Sequence, residues 1–251
     1  MMNSKVIKEE QFLLELKNIE KSYSSTHRES IKVLEGISFK LNPEEIIALV
    51  GPSGCGKTTL FNTIAGLLPA DEGQINIKGD KRISYIFQET RLLPWMTVEG
   101  NISFVQENFL TGDEARNIRE KLLHSSGLYE MKHSFPAQLS GGMKQRLEII
   151  RALSIKPDLL LMDEPFKSLD IKLKYQLQKM LIEEYNKEQF SILFITHDPE
   201  DAVLLADKVF ILSDKPSRID RVIDIKVSRK DRSLGNTDIY NKLQEILEII
   251  L

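Results

Sequence analysis

Apolar residues along this chain fall into two rhythms. In residues 12–16, 37–41, 46–50, 83–87, 159–162 and 191–196 they form short, nearly continuous runs, and in 74–77 they alternate with polar neighbours. Runs of this length, rich in β-branched and aromatic side chains and bounded by turn residues such as Asn42-Pro43-Glu44-Glu45, predict strands. Elsewhere the spacing is helical. Residues 60–67 follow a glycine-rich stretch and close at Gly66, and Ala115, Ile118, Leu122 and Leu123 share one face. Met143, Leu147, Ile150 and Ser154 share another, and Ile239, Leu243, Ile246, Leu247 and Ile250 a third. Thr111 to Glu114 has capping-box spacing, Ser126-Gly127 ends that helix, Ser140 reads as the N-cap of the next and Lys156-Pro157 as its stop. Residues 21–25, with Tyr23, read as a polar loop, 207–226 as a hairpin turning at 213–217, and 227–237 as a polar, mobile connection. The last helix is predicted to pack on its own domain.

Between the run 46–50 and the helix at 60–67 lies Gly51-Pro52-Ser53-Gly54-Cys55-Gly56-Lys57-Thr58-Thr59. This matches G-x-x-x-x-G-K-[ST] in the strand-before, helix-after setting the pattern requires. Glycines let backbone N–H groups turn toward phosphate oxygens, and the helix adds its positive end. Lys57 suits β and γ phosphates and Thr58 suits Mg²⁺, so the loop predicts a triphosphate site; a plain glycine-rich turn is the competing reading. The run 159–162 delivers Asp163 and Glu164 at its end, where paired carboxylates are costly without a task, and Mg²⁺ with water is the evident one. Gln88 and His197 also follow strands and aim at the same sheet edge. Ser140-Gly141-Gly142 opens its helix with unobstructed N–H groups, as a turn or as a second anion site. The segment 91–98, with Leu93, Pro94 and Trp95, places large apolar residues in an exposed loop, a pattern of partner surfaces unless the tryptophan folds back.

Composition narrows the classes. The 251 residues suffice for a full core, 41% hydrophobic and 28% charged, and 34 basic against 37 acidic side chains leave a net charge of −3, with no general pull toward nucleic acid. One cysteine allows no internal disulfide, and no ligand spacing suggests zinc, so a reducing, cytosolic setting is expected. No run approaches a membrane span and the N-terminus lacks a signal core.

Over residues 12 to about 226 the chain resembles an ATP-binding subunit of ABC transporters. The likeness rests on the phosphate loop at 51–59, Gln88, the signature Leu139-Ser140-Gly141-Gly142-Met143, residues 159–164, the D-loop Ser168-Leu169-Asp170 and His197. Within that family, 91–95, 139–146 and 163–166 look most like the nitrate, sulfonate and taurine importers, a group that includes thiamine-precursor importers. The resemblance implies an α/β P-loop NTPase core with a mixed sheet, an N-terminal antiparallel β layer and an inserted α-helical subdomain. It divides the chain into a core of 12–88 and 157–226, a helical signature subdomain of 89–156 and a C-terminal extension of 227–251.

It further implies that Tyr23 stacks on adenine, residues 51–59 hold the phosphates, and Thr58, Gln88 and, through water, Asp163 hold Mg²⁺. Glu164 becomes the general base, with Lys57, Gln88 and His197 completing the catalytic set. Ser140, Gly141 and Gly142 close on ATP of a second copy in a head-to-tail homodimer, with Asp170 at the interface. Leu93, Pro94 and Trp95 contact a membrane permease that works with an extracytoplasmic solute-binding protein, which places the chain peripherally at the cytoplasmic face of the cell membrane. Nucleic acid is not an implied partner. A soluble ABC ATPase outside transport, a vitamin-precursor importer and a nucleotide-gated module without turnover are the competing readings. Three departures stand out: Met143 for the commoner Gln; Glu44 for a turn glycine, suggesting a turn without positive φ; and Lys167 at a position usually small, expected to bear on the subunit interface.

Overall fold

A computed structural model describes residues 12–25, 28–167 and 169–250. Two sheets form its frame. β1 (Leu14–Ser25) lies between β2 (Arg28–Leu41) and β4 (Glu72–Ile77) in an antiparallel three-stranded sheet. β3 (Ile46–Val50), β5 (Ile83–Ile86), β6 (Leu159–Asp163), β7 (Ser191–Ile195), β8 (Lys208–Leu212) and β9 (Ile219–Asp224) form a six-stranded sheet in the order β5-β6-β7-β3-β8-β9. All its pairings are parallel except β8–β9, so the sheet is mixed, as expected.

Every residue of β3, β6 and β7 is buried, which explains their unbroken apolar sequences: a parallel sheet is covered on both faces. Strand alternation sorts them. Ile47, Leu49, Leu159, Leu161, Leu193 and Ile195 face a core shared with the antiparallel sheet and with α1 (Lys57–Ile64). Ile46, Ala48, Val50, Leu160, Met162, Ile192 and Phe194 face the other, built from α4 (Gly141–Leu153), α5 (Ile171–Glu188), α6 (Pro199–Leu205) and α7 (Thr237–Ile250). α2 (Val98–Gln106) and α3 (Gly112–Ser125) precede α4 in the insertion between β5 and β6.

Several local expectations are corrected. Residues 21–25 are not a loop but the continuation of β1, paired to β2 through Ser22 with Lys32 and Tyr23 with Ile31; Lys21 is fixed there by Asp71 at 2.6 Å. The Thr111 capping box does not form. Its Glu114 carboxylate is taken by Lys156 at 2.9 Å, and no side chain caps α3. Glu44 does adopt positive φ, +59°, and its carbonyl accepts the Tyr185 hydroxyl, a tertiary bond that holds a conformation unfavourable for a residue with a Cβ. Helices α2, α5 and α6 add to the sequence expectations, although Thr97, Asp170 and Asp198 stand at their starts as N-caps; in α5 the buried Leu177, Met180, Leu181 and Tyr185 lie among long charged side chains that blur the stripe.

The connection 227–237 is tied down rather than mobile. It contains a 3₁₀ turn, Arg229–Asp231, and both Arg229 and Arg232 donate to Asp207, whose Oδ2 also accepts Ile46 N–H at 2.9 Å. Arg232 is 2% exposed and donates also to the carbonyls of Ala206 and Val227. Beyond it, Ile239 and Ile246 of α7 are fully buried in the helical core, each worth about 1.5–3 kcal/mol. Asp207→Ala would leave a buried guanidinium without its counter-ion, and urea unfolding should report a loss of about 3 kcal/mol.

Candidate nucleotide site

β6, β7 and β3 are neighbours with parallel direction, so their carboxyl ends open onto one edge. The phosphate loop follows β3, Asp163 ends β6, Gln88 lies two residues beyond β5 and His197 two beyond β7. A cavity of about 460 Å³ opens there, lined by Tyr23, Ser53, Gly54, Gly56, Lys57, Thr58, Thr59, Gln88, Asp163 and Glu164, with Val33, Lys167, Ile195 and Lys215. Most of the loop and carboxylate residues singled out from the sequence therefore meet. Lys167 and Lys215 were not assigned to this cleft. Lys215 lies in the β8–β9 turn, at the end of a strand parallel to β3, and strand order alone could have pointed to it.

The loop's conformation demands its glycines. Gly56 has φ +120°, and a Cβ there would lie 2.6 Å from Val33 Cγ1. Lys57 Nζ donates to the carbonyls of Gly51 and Pro52 at 2.8 and 2.7 Å, folded back along the loop. The Cys55 thiol is buried in the core beneath, so any phosphate contact by Cys55 belongs to its backbone. Tyr23, half-exposed on β1, brings its hydroxyl within 3.4 Å of Thr59 Oγ1.

Thr58 Oγ1 donates to Asp163 Oδ2 at 2.7 Å. Burial raises the Asp163 pKa above its ordinary 3.8; the bond from Thr58 opposes this and the neighbouring Glu164 charge adds to it. Burial, with the same Asp163 charge, also holds the Tyr85 phenol well above the usual range. Glu164 has φ +50°, and its Oε2 is met by Gln88 Nε2 at 3.1 Å, Lys167 Nζ at 2.5 Å and His197 Nδ1 at 3.8 Å.

Among the described residues no group of three or more His, Cys, Asp or Glu could hold a metal by itself. The hydroxyl of Thr58, the amide of Gln88 and the carboxylate of Asp163 nonetheless give an all-oxygen set beside the phosphate loop. That suits a small hard cation which keeps waters and takes further oxygens from phosphate.

The remaining predicted residues lie outside this cleft. Ser140 caps α4, accepting Met143 N–H at 3.3 Å, and Gly142 lies so close to α5 that a Cβ would fall 2.2 Å from Leu173 Cδ2. Asp170 caps α5 by accepting Leu173 N–H at 2.9 Å; Ser168 lies outside the described residues. Gln145 of α4 donates to the Pro165 carbonyl at 2.6 Å, linking this helix to the turn that carries Glu164.

Trp95 does not fold back: it is 70% exposed. Beside its loop runs a groove of about 370 Å³ lined by Phe87, Arg91, Leu93, Phe104, Phe109 and Glu148 among others. Asn101, fully buried, fixes the loop by bonding Leu93 N–H and the carbonyls of Leu93, Met96 and Thr97. Burial raises the Glu148 pKa, and its Oε2 has no partner. Neither Asn101 nor Glu148 was singled out from the sequence: Glu148 bonds Arg91, 57 positions away, and Asn101 bonds an irregular loop whose path no periodicity sets.

The model of the ABC transporter family matches residues 34–167. The chain belongs to that family. The aliphatic sulfonates import ATP-binding protein SsuB of Bacillus cereus is 38% identical over 90% of this chain and 92% of its own length. The bicarbonate transport ATP-binding protein CmpC of Synechocystis is 38% identical over 84% of this chain and 33% of its own. Among solved structures, the dimeric bacterial ABC transporter cassette MJ0796 superposes with a TM-score of 0.74 at 27% identity, covering 86% of this chain and all of that one. The fold is thus that of a P-loop ABC ATPase and the activity ATP binding and hydrolysis. No helix among the described residues is long and apolar enough to cross a membrane.

Because the folded chain favours protonated Asp163 more than the unfolded chain does, this group contributes stability below its ordinary 3.8 that is lost as pH rises through the folded value. Asp163→Asn should therefore melt higher than the unmodified chain without nucleotide at pH 8, and the gap should narrow as pH falls toward the ordinary 3.8, by circular dichroism.

Proposed function

We propose that this ABC ATPase energises an importer of a small anion, of the sulfonate, nitrate or bicarbonate kind, through a separate membrane permease. The observation that carries the nucleotide chemistry is the meeting of Lys57, Thr58, Gln88, Asp163 and Glu164 in one cleft at the strand ends. The anion follows from the relatives' stated roles as sulfonate and bicarbonate transport subunits.

In this reading Tyr23 stacks on adenine and residues 51–59 wrap the phosphates, with Lys57 exchanging its two carbonyl partners for β and γ oxygens. Thr58 and Gln88 would hold Mg²⁺, with Asp163 behind its water shell, and the ion would neutralise phosphate charge. Glu164 takes a proton from the attacking water while His197 contacts the γ-phosphate. The transition state is loose, so positioning and electrostatics supply most of the rate.

The signature Ser140, Gly141 and Gly142 lines no part of this chain's own cleft, and a Cβ at Gly141 would meet nothing within 4 Å, which supports closure on the nucleotide of a second copy; the MJ0796 cassette was solved as a dimer. Asp170, capping α5 beside it, joins the interface. Residues 12–88 with 157–226 form the nucleotide core, 89–156 the signature subdomain and 227–251 a C-terminal extension. Exposed Trp95, with Leu93, Pro94 and the adjoining apolar groove, supports a permease contact at the cytoplasmic face of the membrane, with a solute-binding protein on the far side. That exposed surface favours the importer over a soluble ATPase outside transport.

Glu164→Gln should keep ATP binding, lose turnover by about 10²-fold or more and accumulate an ATP-bound dimer on size-exclusion chromatography. A near-normal phosphate-release rate would remove Glu164 from the role of base. Lys57→Ala should abolish nucleotide binding at micromolar concentration by calorimetry; unchanged binding would overturn the whole site.

A further inference from the structure

Two donors, Gln88 and Lys167, converge on Oε2 of Glu164, and His197 Nδ1 lies 3.8 Å from the same atom. Gln88 and His197 come from neighbouring strand ends, but Lys167 comes from the same turn: its N–H donates to the Glu164 carbonyl at 3.2 Å, and its ammonium returns to Oε2 at 2.5 Å. With Gln88 at 3.1 Å on the same atom, Oε2 has little lone-pair capacity left for a water. Both side chains line the nucleotide cleft, and with 45% exposure for Lys167 against 14% for Glu164 the ammonium is the freer of the two. Lys167 is held there by one ion pair, to Glu164. A triphosphate carries several negative charges into this cleft, and Coulomb attraction scales with charge at equal distance.

We propose that Lys167 is a positioning residue for Glu164: it occupies Oε2 while the cleft is empty and transfers to the terminal phosphate of ATP, which frees the oxygen. The inference rests on the assignment of Glu164 as base. In the step it serves, the water oxygen forms a bond to the γ phosphorus and the bond from that phosphorus to the bridging oxygen breaks. The water proton passes to Glu164, and Lys167 stays protonated throughout. The lysine thereby restrains the base in the empty subunit and discriminates a triphosphate from a diphosphate, which lacks the group it moves to.

The full chain with Lys167→Met keeps the aliphatic stem and loses the charge; Lys167→Arg keeps the charge. With divalent cation absent so that no hydrolysis occurs, Lys167→Met should weaken ATP binding about two- to five-fold, the range of a partly exposed ion pair, and leave ADP binding unchanged. Lys167→Arg should restore the difference. With Mg-ATP at saturation the lysine has left Oε2 in the unmodified chain as well, so Lys167→Met should raise the KM for ATP by a similar factor and give no gain in phosphate release. Equal weakening of ATP and ADP, no weakening of either, or a gain in phosphate release at saturation would overturn the proposal. A failure of Glu164 as base is read separately, from Glu164→Gln alone, and the comparison of ATP with ADP tests Lys167 whatever that result.

Discussion

The burial of β3, β6 and β7 on both faces governs this molecule. Their residues are consumed by two cores, so polar chemistry can enter only where the strands stop. Parallel direction puts those stops on one edge, and the edge collects a glycine loop, two carboxylates, a glutamine and a histidine that are far apart in sequence. Asp163 marks the boundary: it is the last residue of β6, 2% exposed, and its charge is tolerated there because Thr58 donates to it from the first turn of α1.

Much of this was legible in the chain. The unbroken apolar runs fixed the central strands, and the phosphate loop, Asp163-Glu164 and Ser140-Gly141-Gly142 are contiguous motifs whose backbone context follows from their neighbours. What was not legible depends on partners distant in sequence. Residues 21–25 look like a loop until β2 supplies their ladder. Glu44 tolerates positive φ because Tyr185, 141 positions later, binds its carbonyl. The polarity of 227–237 suggests mobility until Asp207 gathers Arg229 and Arg232, and no spacing in the sequence sets Lys167 on Glu164 until the turn at 164–167 bends it there.

The charged groups of the cleft satisfy one another internally. Lys57 is held by its own loop, Asp163 by Thr58 and Glu164 by Lys167 and Gln88. No member of the set waits as an unpaired charge, which a partly buried cleft could hold only at considerable cost. On the proposed assignment of the site, nucleotide entry is an exchange of partners, and the net gain is the difference between two sets of charge-assisted bonds.

Helix α4 has a consequence of its own. Its N-terminus is the signature, and farther along Glu148 accepts the N–H of Arg91 while Arg151 donates to the carbonyl of the same residue, so the main chain of one residue at the start of the Trp95 loop is gripped at both its peptides. Thirteen residues make a rod of about 20 Å. On the proposed arrangement, one end of that rod meets a second copy and the other the permease, and thermodynamic linkage then runs in both directions: whatever factor subunit closure imposes on permease affinity, permease binding must return to subunit closure.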